Sequence, residues 1–222
     1  MMTRTYFRRL ELEPPPRLYV LMARGPWFRR VYRRFVTDLV ASVPPNTRLL
    51  DVGTGPGYLL GCLARERPDL SLFGLDLSHT MVAGGRRRLR QWAPEARVHT
   101  VVGDAQELPL KGESFDHLLA TFSFHIWQDP IRAASEIVRV LKPGGRAWIY
   151  EMNRDVSREQ LREFAQEEKL PFLLVYLGFH SLAWNHALRA ADFARVLEAT
   201  AVPSWRLAPA HHLFWRVEIF KN

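Results

Sequence analysis

Three aspartates in this chain follow or end short apolar runs: Asp51 in LLDVGTGPG, Asp76 in LFGLDLS and Asp104 in VVGDAQELPL. The first precedes three glycines in five residues, Gly53, Gly55 and Gly57. Glycines at a strand end permit tight, partly left-handed backbone and let peptide groups lie directly against a ligand, where a Cβ would intrude. A carboxylate at Asp51 attracts an ammonium group. Asp76, 25 residues on, stands where a carboxylate can accept both hydroxyls of a ribose. Asp104 can reach an exocyclic amine of a base. Singly, strand-end aspartates also cap helices and close turns; three in register point to one ligand.

A dinucleotide fingerprint requires GxGxxG, its third glycine allowing close helix–strand packing. Here the run is Gly53-Thr54-Gly55-Pro56-Gly57-Tyr58, spaced GxGxG, with Tyr58 at the third-glycine position. A carboxylate at Asp51 also suits a cation rather than a pyrophosphate. Ammonium, ribose and amino-purine together describe S-adenosylmethionine.

The elements that must hold these residues alternate. Short apolar runs of strand type occur at 47–53, 71–77, 98–104, 116–123 and 146–153. Between them lie helical segments: GYLLGCLARER, SHTMVAGGRRRLRQW with Ser78 as cap, and PIRAASEIVRVLK with Asp129 capping and Pro130 in the first turn. Strands alternating with helices give an α/β fold, a doubly wound, mostly parallel sheet covered on both faces. Its ligand crevice lies beyond the carboxyl ends of the strands, where strand order reverses. Ahead of the sheet, PWFRRVYRRFVTDLVASV places Phe28, Val31, Tyr32, Phe35, Val36, Leu39, Val40 and Val43 at helical spacing with Arg29, Arg30, Arg33 and Arg34 opposite. Such a stripe packs on a core, or lies on an anionic membrane.

With 47% apolar residues the chain can bury one sizeable core. Its single cysteine, Cys62, excludes an internal disulfide and a thiolate metal cluster, and a reducing cytoplasm fits. The start, MMTRTYFRRLELEPPP, lacks the apolar stretch of a signal peptide, and no window approaches a membrane span. The formal charge of +8 rests on 27 Arg against 4 Lys, and residues 1–46 hold nine of the Arg. Arg86, Arg87, Arg88 and Arg90 form a second cluster. These are solvated helix faces or a polyanion footprint.

The motifs LLDVGTGPG, GLDLSHTM, VVGDAQELPL, FDHLLATFSFHIWQDP and RVLKPGGRAWIYE, in that order, make residues 45–153 similar to the class I S-adenosylmethionine-dependent methyltransferases. The resemblance is to the small-molecule branch that includes the ubiquinone and menaquinone C-methyltransferases. It implies a seven-stranded sheet with an antiparallel last strand and a helical cap. By resemblance, Gly53, Thr54, Gly55 and Gly57 line the methionine end near Asp51, Asp76 binds the ribose, and Leu77 and Met81 flank the adenine. Asp104 and Ala105 recognise the base edge, Thr121 and Phe122 hold the sulfonium side, and His125 faces the acceptor. Leu141 to Gly145 is the turn before the fifth strand. The product is S-adenosylhomocysteine, and no metal is implied. Where such enzymes carry a Tyr-Asp pair near the N-terminus, this chain has Tyr19-Val20, which puts closure by Tyr19 in doubt.

Residues 1–46 then read as an N-terminal helical cap and 47–222 as the methyltransferase core, with an acceptor-cap insertion at 154–188. That insertion carries Phe172, Tyr176, Phe179, His180, Trp184 and His186, either as core or as the roof of an apolar pocket. A small aromatic or apolar acceptor is the expected partner. An RNA methyltransferase is the alternative, its phosphates met by the basic N-terminal third. Against it, Ser123-Phe124-His125-Ile126 replaces the Asn/Asp-Pro-Pro-aromatic tetrad of adenine N6 enzymes, and Cys62 lies in a helix, not where a cytosine C5 nucleophile would. A non-catalytic cofactor-binding subunit is the third reading. His125 serves as a general base or packs beside Trp127.

Overall fold

The computed structural model describes residues 20–222 apart from 22, 95, 96, 184, 185, 201 and 203. Seven strands form one sheet: β1 (Arg48–Val52), β2 (Ser71–Asp76), β3 (Arg97–Val102), β4 (Phe115–Thr121), β5 (Leu141–Met152), β6 (Ser204–Ala210) and β7 (Phe214–Phe220). Their spatial order is β3-β2-β1-β4-β5-β7-β6. The pairs among β1 to β5 are parallel, and β7 runs antiparallel to both β5 and β6. Strand order therefore reverses between β1 and β4, the position at which an α/β sheet opens its ligand crevice.

Among the described residues, the sheet is flanked by the α-helices α1 (Pro26–Ser42), α2 (Tyr58–Glu66), α3 (His79–Trp92), α4 (Pro130–Val140), α5 (Arg158–Glu167), α6 (Phe172–Gly178) and α7 (Ala190–Ala199). The expected caps form: Ser78 Oγ accepts from Met81 N at 3.3 Å and Asp129 Oδ1 from Arg132 N at 3.0 Å. Alternate strand residues feed opposite layers, because successive side chains of a strand point to opposite faces. Leu49, Trp148 and Tyr150 pack with Val31, Phe35 and Leu39 of α1, Leu59 and Leu63 of α2 and Phe164 of α5. Leu50, Ala147 and Ile149 pack with Ile137 of α4 and with Phe193 and Val196 of α7. Both faces of the central strands are thus buried, which is why these strands read as near-continuous apolar runs.

One segment differs from the sequence reading. Leu141 to Gly145, expected as a turn ahead of the fifth strand, belongs to β5 itself. Leu141 already pairs with Phe115, and the register then shifts before Arg146 pairs with His117. Gly144 sits at φ 75° inside this irregularity. The bend that the two glycines announce is accommodated as a bulge-like break inside a paired strand.

The α1 stripe lies on the sheet as its spacing predicts, with Val40 alone turned out to 38% exposure. Two of the arginines expected on its solvent face instead reach α5: Arg30 pairs with Glu168 at 2.7 Å, and Arg34 with Glu168 at 2.6 Å and Glu167 at 3.1 Å. The deeper tie is polar. Phe35 stacks on Tyr150 at 4.1 Å. Asp38 Oδ2 accepts from the Tyr150 hydroxyl at 2.7 Å and contacts His211 Nε2 at 3.0 Å, joining α1 to β5 and to the β6–β7 turn. Burial raises the Asp38 carboxyl, but the hydrogen bonds from His211 and Tyr150 and the charges of His211 and Arg216 outweigh it and leave it below the ordinary 3.8.

A lowered carboxyl means that the unfolded chain binds more protons than the folded one as pH falls through this range. The Asp38 contribution is thus complete above pH 3.8 and lost as the solution is acidified further. Asp38→Asn should cost roughly 1–3 kcal/mol of stability at pH 7 by weakening a charged acceptor shared by two partners. It should also flatten the acid limb of the stability profile; urea melts across pH 3 to 7 check both, and a parallel, unshifted profile would contradict the assignment.

Candidate functional site

The glycine-rich loop leaves β1 at the reversal point. Gly53 N and Thr54 N both donate to the Leu75 carbonyl, at 2.8 and 2.9 Å, so the loop is pinned to the end of β2. Gly53 has φ 77°, and a Cβ built there would meet Ser123 Cβ at 2.4 Å and Oγ at 2.6 Å. A side chain is excluded both by backbone conformation and by the loop after β4. Ser123 in turn donates its hydroxyl to the Val52 carbonyl at 2.9 Å. Gly57, also left-handed at φ 73°, opens α2. Arg88 of α3 donates to the Pro56 carbonyl and lies over the Tyr58 ring at 4.3 Å, while Arg24 Nε donates to the Tyr58 hydroxyl at 2.8 Å. The tip of the loop is held by arginine contacts from α3 and from the segment ahead of α1.

Asp76 stands at the end of β2 with both oxygens engaged by backbone. Its Oδ2 accepts from Gly55 N and its Oδ1 from Ser78 N, each at 2.8 Å. Burial raises its carboxyl above the ordinary value, and the two N–H donors pull it back only in part. Each carboxylate oxygen has a second lone pair, so two hydroxyl donors can still be accepted. Leu77, immediately after it, is 69% exposed, an uncovered apolar side chain at the crevice edge. Met81 follows in the first turn of α3 and is half-buried.

Asp51 is the unusual group. It is 1% exposed, and its Oδ1, like the Thr54 hydroxyl, is buried with no hydrogen-bond partner among the described residues. Burial pushes its carboxyl up to about 7 and the Asp76 charge adds to the rise, which the nearby Thr54 hydroxyl, outside hydrogen-bond geometry, offsets only in part. A buried carboxylate without a partner is costly, and a cation or donor brought into the glycine cradle would relieve it. The donor set suits the amino end of S-adenosylmethionine, with Asp76 for the ribose. The residues present fit that group.

Asp104 follows β3, as expected, but its carboxylate is held within its own loop. Oδ1 accepts from Gln106 N at 2.9 Å and from Gln106 Nε2 at 3.0 Å, and the Gln106 Oε1 accepts from Asp129 N at 2.7 Å. Ala105 is 9% exposed beside it. Gly103 N donates to the Asp76 carbonyl at 3.1 Å, which sets this loop alongside the β2 end.

Beyond β4, Thr121 is buried and Phe122 takes a left-handed backbone at φ 54°, a conformation that non-glycine residues seldom hold without surrounding constraint. The constraint is visible: Phe122 N donates to the Tyr150 carbonyl at 2.9 Å, and its ring packs between Phe28, Phe35 and Phe214. The turn brings Ser123 against Gly53 and starts the short 3₁₀ helix Phe124–Ile126, which carries His125. His125 Nδ1 lies 3.0 Å from Glu151 Oε2, and its backbone N donates to Glu151 Oε1 at 3.1 Å. Glu151 is fully buried near the end of β5. The His125 ring meets His186 edge-on, centroids 5.3 Å apart.

The loops after β1, β2 and β4 are thus brought together at one sheet edge, with Asp104 and Ala105 beside them. The contacts of Ser123 with Gly53 and of Glu151 with His125 are not marked by any motif. The signal for Glu151 was a lone acid inside the apolar run WIYEM, where a charge is buried only with a partner. Of the insertion's aromatics, Phe179 is buried, Phe172, Tyr176 and His186 are half-buried and His180 is exposed. Tyr19, Met22 and Trp184 lie outside the described residues. No helix of the described residues is long and apolar enough to cross a membrane, and no group of three or more His, Cys, Asp or Glu there could hold a metal.

Residues 50–149 match the family described as a methyltransferase domain. An uncharacterized methyltransferase of Bacillus subtilis is 31% identical over 121 residues, 54% of this chain and 65% of its own length. The ubiquinone/menaquinone biosynthesis C-methyltransferase of Geotalea daltonii is 34% identical over 147 residues, 65% of this chain and 62% of that one. The chain thus spans somewhat less than two thirds of these relatives. A SAM-dependent methyltransferase from Aquifex aeolicus shares the fold at a TM-score of 0.70 with 16% identity, over 95% of this chain and 100% of that one. The plantazolicin methyltransferase BpumL, solved in complex with SAH, does so at 0.64 with 13% identity, over 93% and 89%.

Residues 50–149 are thus similar to a methyltransferase domain, and the chain shares its fold with solved SAM-dependent methyltransferases. It resembles the branch that includes the ubiquinone and menaquinone C-methyltransferases.

The raised Asp51 carboxyl gives a signed expectation. Its folded-state value of about 7 exceeds the ordinary 3.8, so the folded protein holds a proton that the unfolded chain releases between these limits, and Asp51 costs stability as pH rises through that window. Asp51→Asn should therefore raise the melting temperature of the ligand-free protein at pH 8 while leaving it little changed at pH 4. S-adenosylhomocysteine affinity of the native protein should weaken as pH falls below about 7, where the carboxylate is neutralised. Calorimetric affinities independent of pH would contradict the ammonium contact.

Proposed function

We propose that the protein transfers the methyl group of S-adenosylmethionine to a small, largely apolar or aromatic acceptor. The observation that carries this reading is Asp51, a buried carboxylate with an unpartnered oxygen beside a glycine cradle, at the point where strand order reverses. In the proposed complex Asp51 faces the ammonium, Gly53, Thr54, Gly55 and Gly57 lie along the methionine end, and Asp76 accepts the ribose hydroxyls. Leu77 and Met81 cover the adenine, Asp104 and Ala105 border its edge, and Thr121 and Phe122 approach the sulfonium. The sulfonium supplies an already activated methyl group when bound. What remains for the protein is to align the acceptor and exclude water.

We assign acceptor binding to the helical residues of 1–46 together with the insertion at 154–188. His125 is the candidate base where an acceptor proton must leave. The segment ahead of α7 supports this arrangement: Leu188 N donates to the Met152 carbonyl at 2.9 Å, returning the insertion to the end of β5 next to His125. The RNA reading has less support, because several cations of the described basic clusters are engaged within the molecule. Arg30 and Arg34 bridge to α5, Arg86 binds Thr100, and Arg88 covers Tyr58.

Two measurements test the proposal. S-adenosylhomocysteine should raise the melting temperature and NADH should not, since only a ligand of the native state shifts folding. Asp76→Ala should lower calorimetric affinity for S-adenosylhomocysteine by about 1.5–3 kcal/mol for each charged hydrogen bond lost, with circular dichroism confirming the fold. An equal shift with NADH, or unchanged affinity in Asp76→Ala, would overturn it. Release of S-adenosylhomocysteine against phenols, quinols, amines and tRNA then identifies the acceptor class.

A further inference from the structure

Glu151 is a fully buried carboxylate near the end of β5, and both of its carboxylate oxygens meet His125. Oε1 accepts from the His125 backbone N at 3.1 Å and lies 3.2 Å from Nδ1, and Oε2 lies 3.0 Å from Nδ1. One acid therefore fixes both the backbone and the ring of the same residue. Its place is also telling. β5 carries it beside the loop after β4, whose Ser123 touches the glycine cradle two residues before His125. A carboxylate taken fully out of water is expensive unless it is paired, and a histidine packed as core filler beside Trp127 needs no such partner. The cost is explained if the pair has a chemical task.

We infer that Glu151 is the positioning residue of His125, holding Nδ1–H so that the Nε2 lone pair is free to take a proton from the acceptor, and that the accepting group accordingly carries a removable proton. This rests on the methyl-transfer reading above. A carboxylate on Nδ1–H selects that tautomer, orients the ring and stabilises the imidazolium formed when Nε2 is protonated. In the balanced step the acceptor's X–H bond pair becomes available to the new X–CH₃ bond. The proton goes to Nε2, and the pair of the broken S–CH₃ bond stays on sulfur as a neutral thioether. Among the described residues, the titratable groups set against His125 are Glu151 from β5 and His186 from the segment ahead of α7. An acceptor with no proton to lose would give the pair nothing to do.

The direct test needs no acceptor. In the full chain labelled with ¹⁵N-histidine, long-range ¹H–¹⁵N spectra distinguish the two neutral tautomers, and His125→Asn identifies the His125 signals by their loss. At alkaline pH His125 is expected as the Nδ1–H tautomer, opposite to the preference of free imidazole side chains for Nε2–H. Glu151→Leu should shift it toward Nε2–H, Glu151→Asp should restore part of the Nδ1–H form, and Glu151→Gln serves if the leucine variant does not fold. S-adenosylhomocysteine affinity should stay within about twofold of the parent in each folded variant. With S-adenosylmethionine supplied, turnover of the best phenol or quinol acceptor should drop ~10²- to 10⁴-fold in His125→Asn and in the same direction in Glu151→Leu. A His125 ring found as Nε2–H in the parent protein, or unchanged when Glu151 is replaced, overturns the inference. So does release of S-adenosylhomocysteine as fast with trimethylamine or dimethyl sulfide as with the protic acceptors. Failure of the parent protein to bind S-adenosylhomocysteine would instead sink the methyl-transfer reading and leave the tautomer result standing on its own.

Discussion

The arrangement turns on the contact between Gly53 and Ser123. With φ 77° and no room for a Cβ within 2.4 Å of the serine, the chain leaving β1 passes directly against the chain leaving β4. These two strands adjoin at the point where the sheet reverses its winding. Any side chain at Gly53 would push the two loops apart, separating Asp51 and the cradle from Thr121, Phe122 and His125. The Leu75 carbonyl, which takes both Gly53 N and Thr54 N, fixes the same loop from the β2 side. Close approach of three strand ends is what sets Asp51 and Asp76 beside the chain leaving β4.

Local strain and unmet polar groups are present at this edge. Phe122 holds a left-handed backbone, and Asp51 and Thr54 bury polar atoms with no partner among the described residues. Such local costs persist only where the surrounding structure over-determines them. Here that support comes from the ring cluster of Phe28, Phe35, Phe122 and Phe214, backed by Tyr150 and its bond to Asp38. The helix ahead of the sheet thereby contributes to the geometry of a loop that it precedes by some eighty residues of sequence.

Strand-and-helix alternation was legible because both faces of the central strands are buried and the helices carry their own caps. The cradle was legible because glycine spacing reports backbone conformation directly. Less visible were features that depend on a partner distant in sequence. Glu151 looks like one acid in an apolar strand until His125 is placed beside it, and Asp38 looks like a solvent-facing helix residue until Tyr150 and His211 meet it. The bulge-like break in β5 looks like a turn because its glycines carry no information about what pairs with Leu141. In the insertion, aromatic content drew attention to the rings, yet the outward side chains of α6 are Leu173, Leu174 and Leu177, more than half exposed. Helical phase alone does not say which stripe of so short and apolar a segment meets the core.

The central claim is that the cradle and its aspartates hold S-adenosylmethionine by its ammonium and its ribose. A crystal structure of the protein soaked with S-adenosylhomocysteine tests this most directly. The account predicts both ribose hydroxyls within hydrogen-bonding distance of the Asp76 carboxylate, about 2.5–3.0 Å, and the ligand's amino group on the Asp51 side of Gly53 to Gly57. Density for the ligand elsewhere, or in the crevice with its ribose turned away from Asp76, would contradict it.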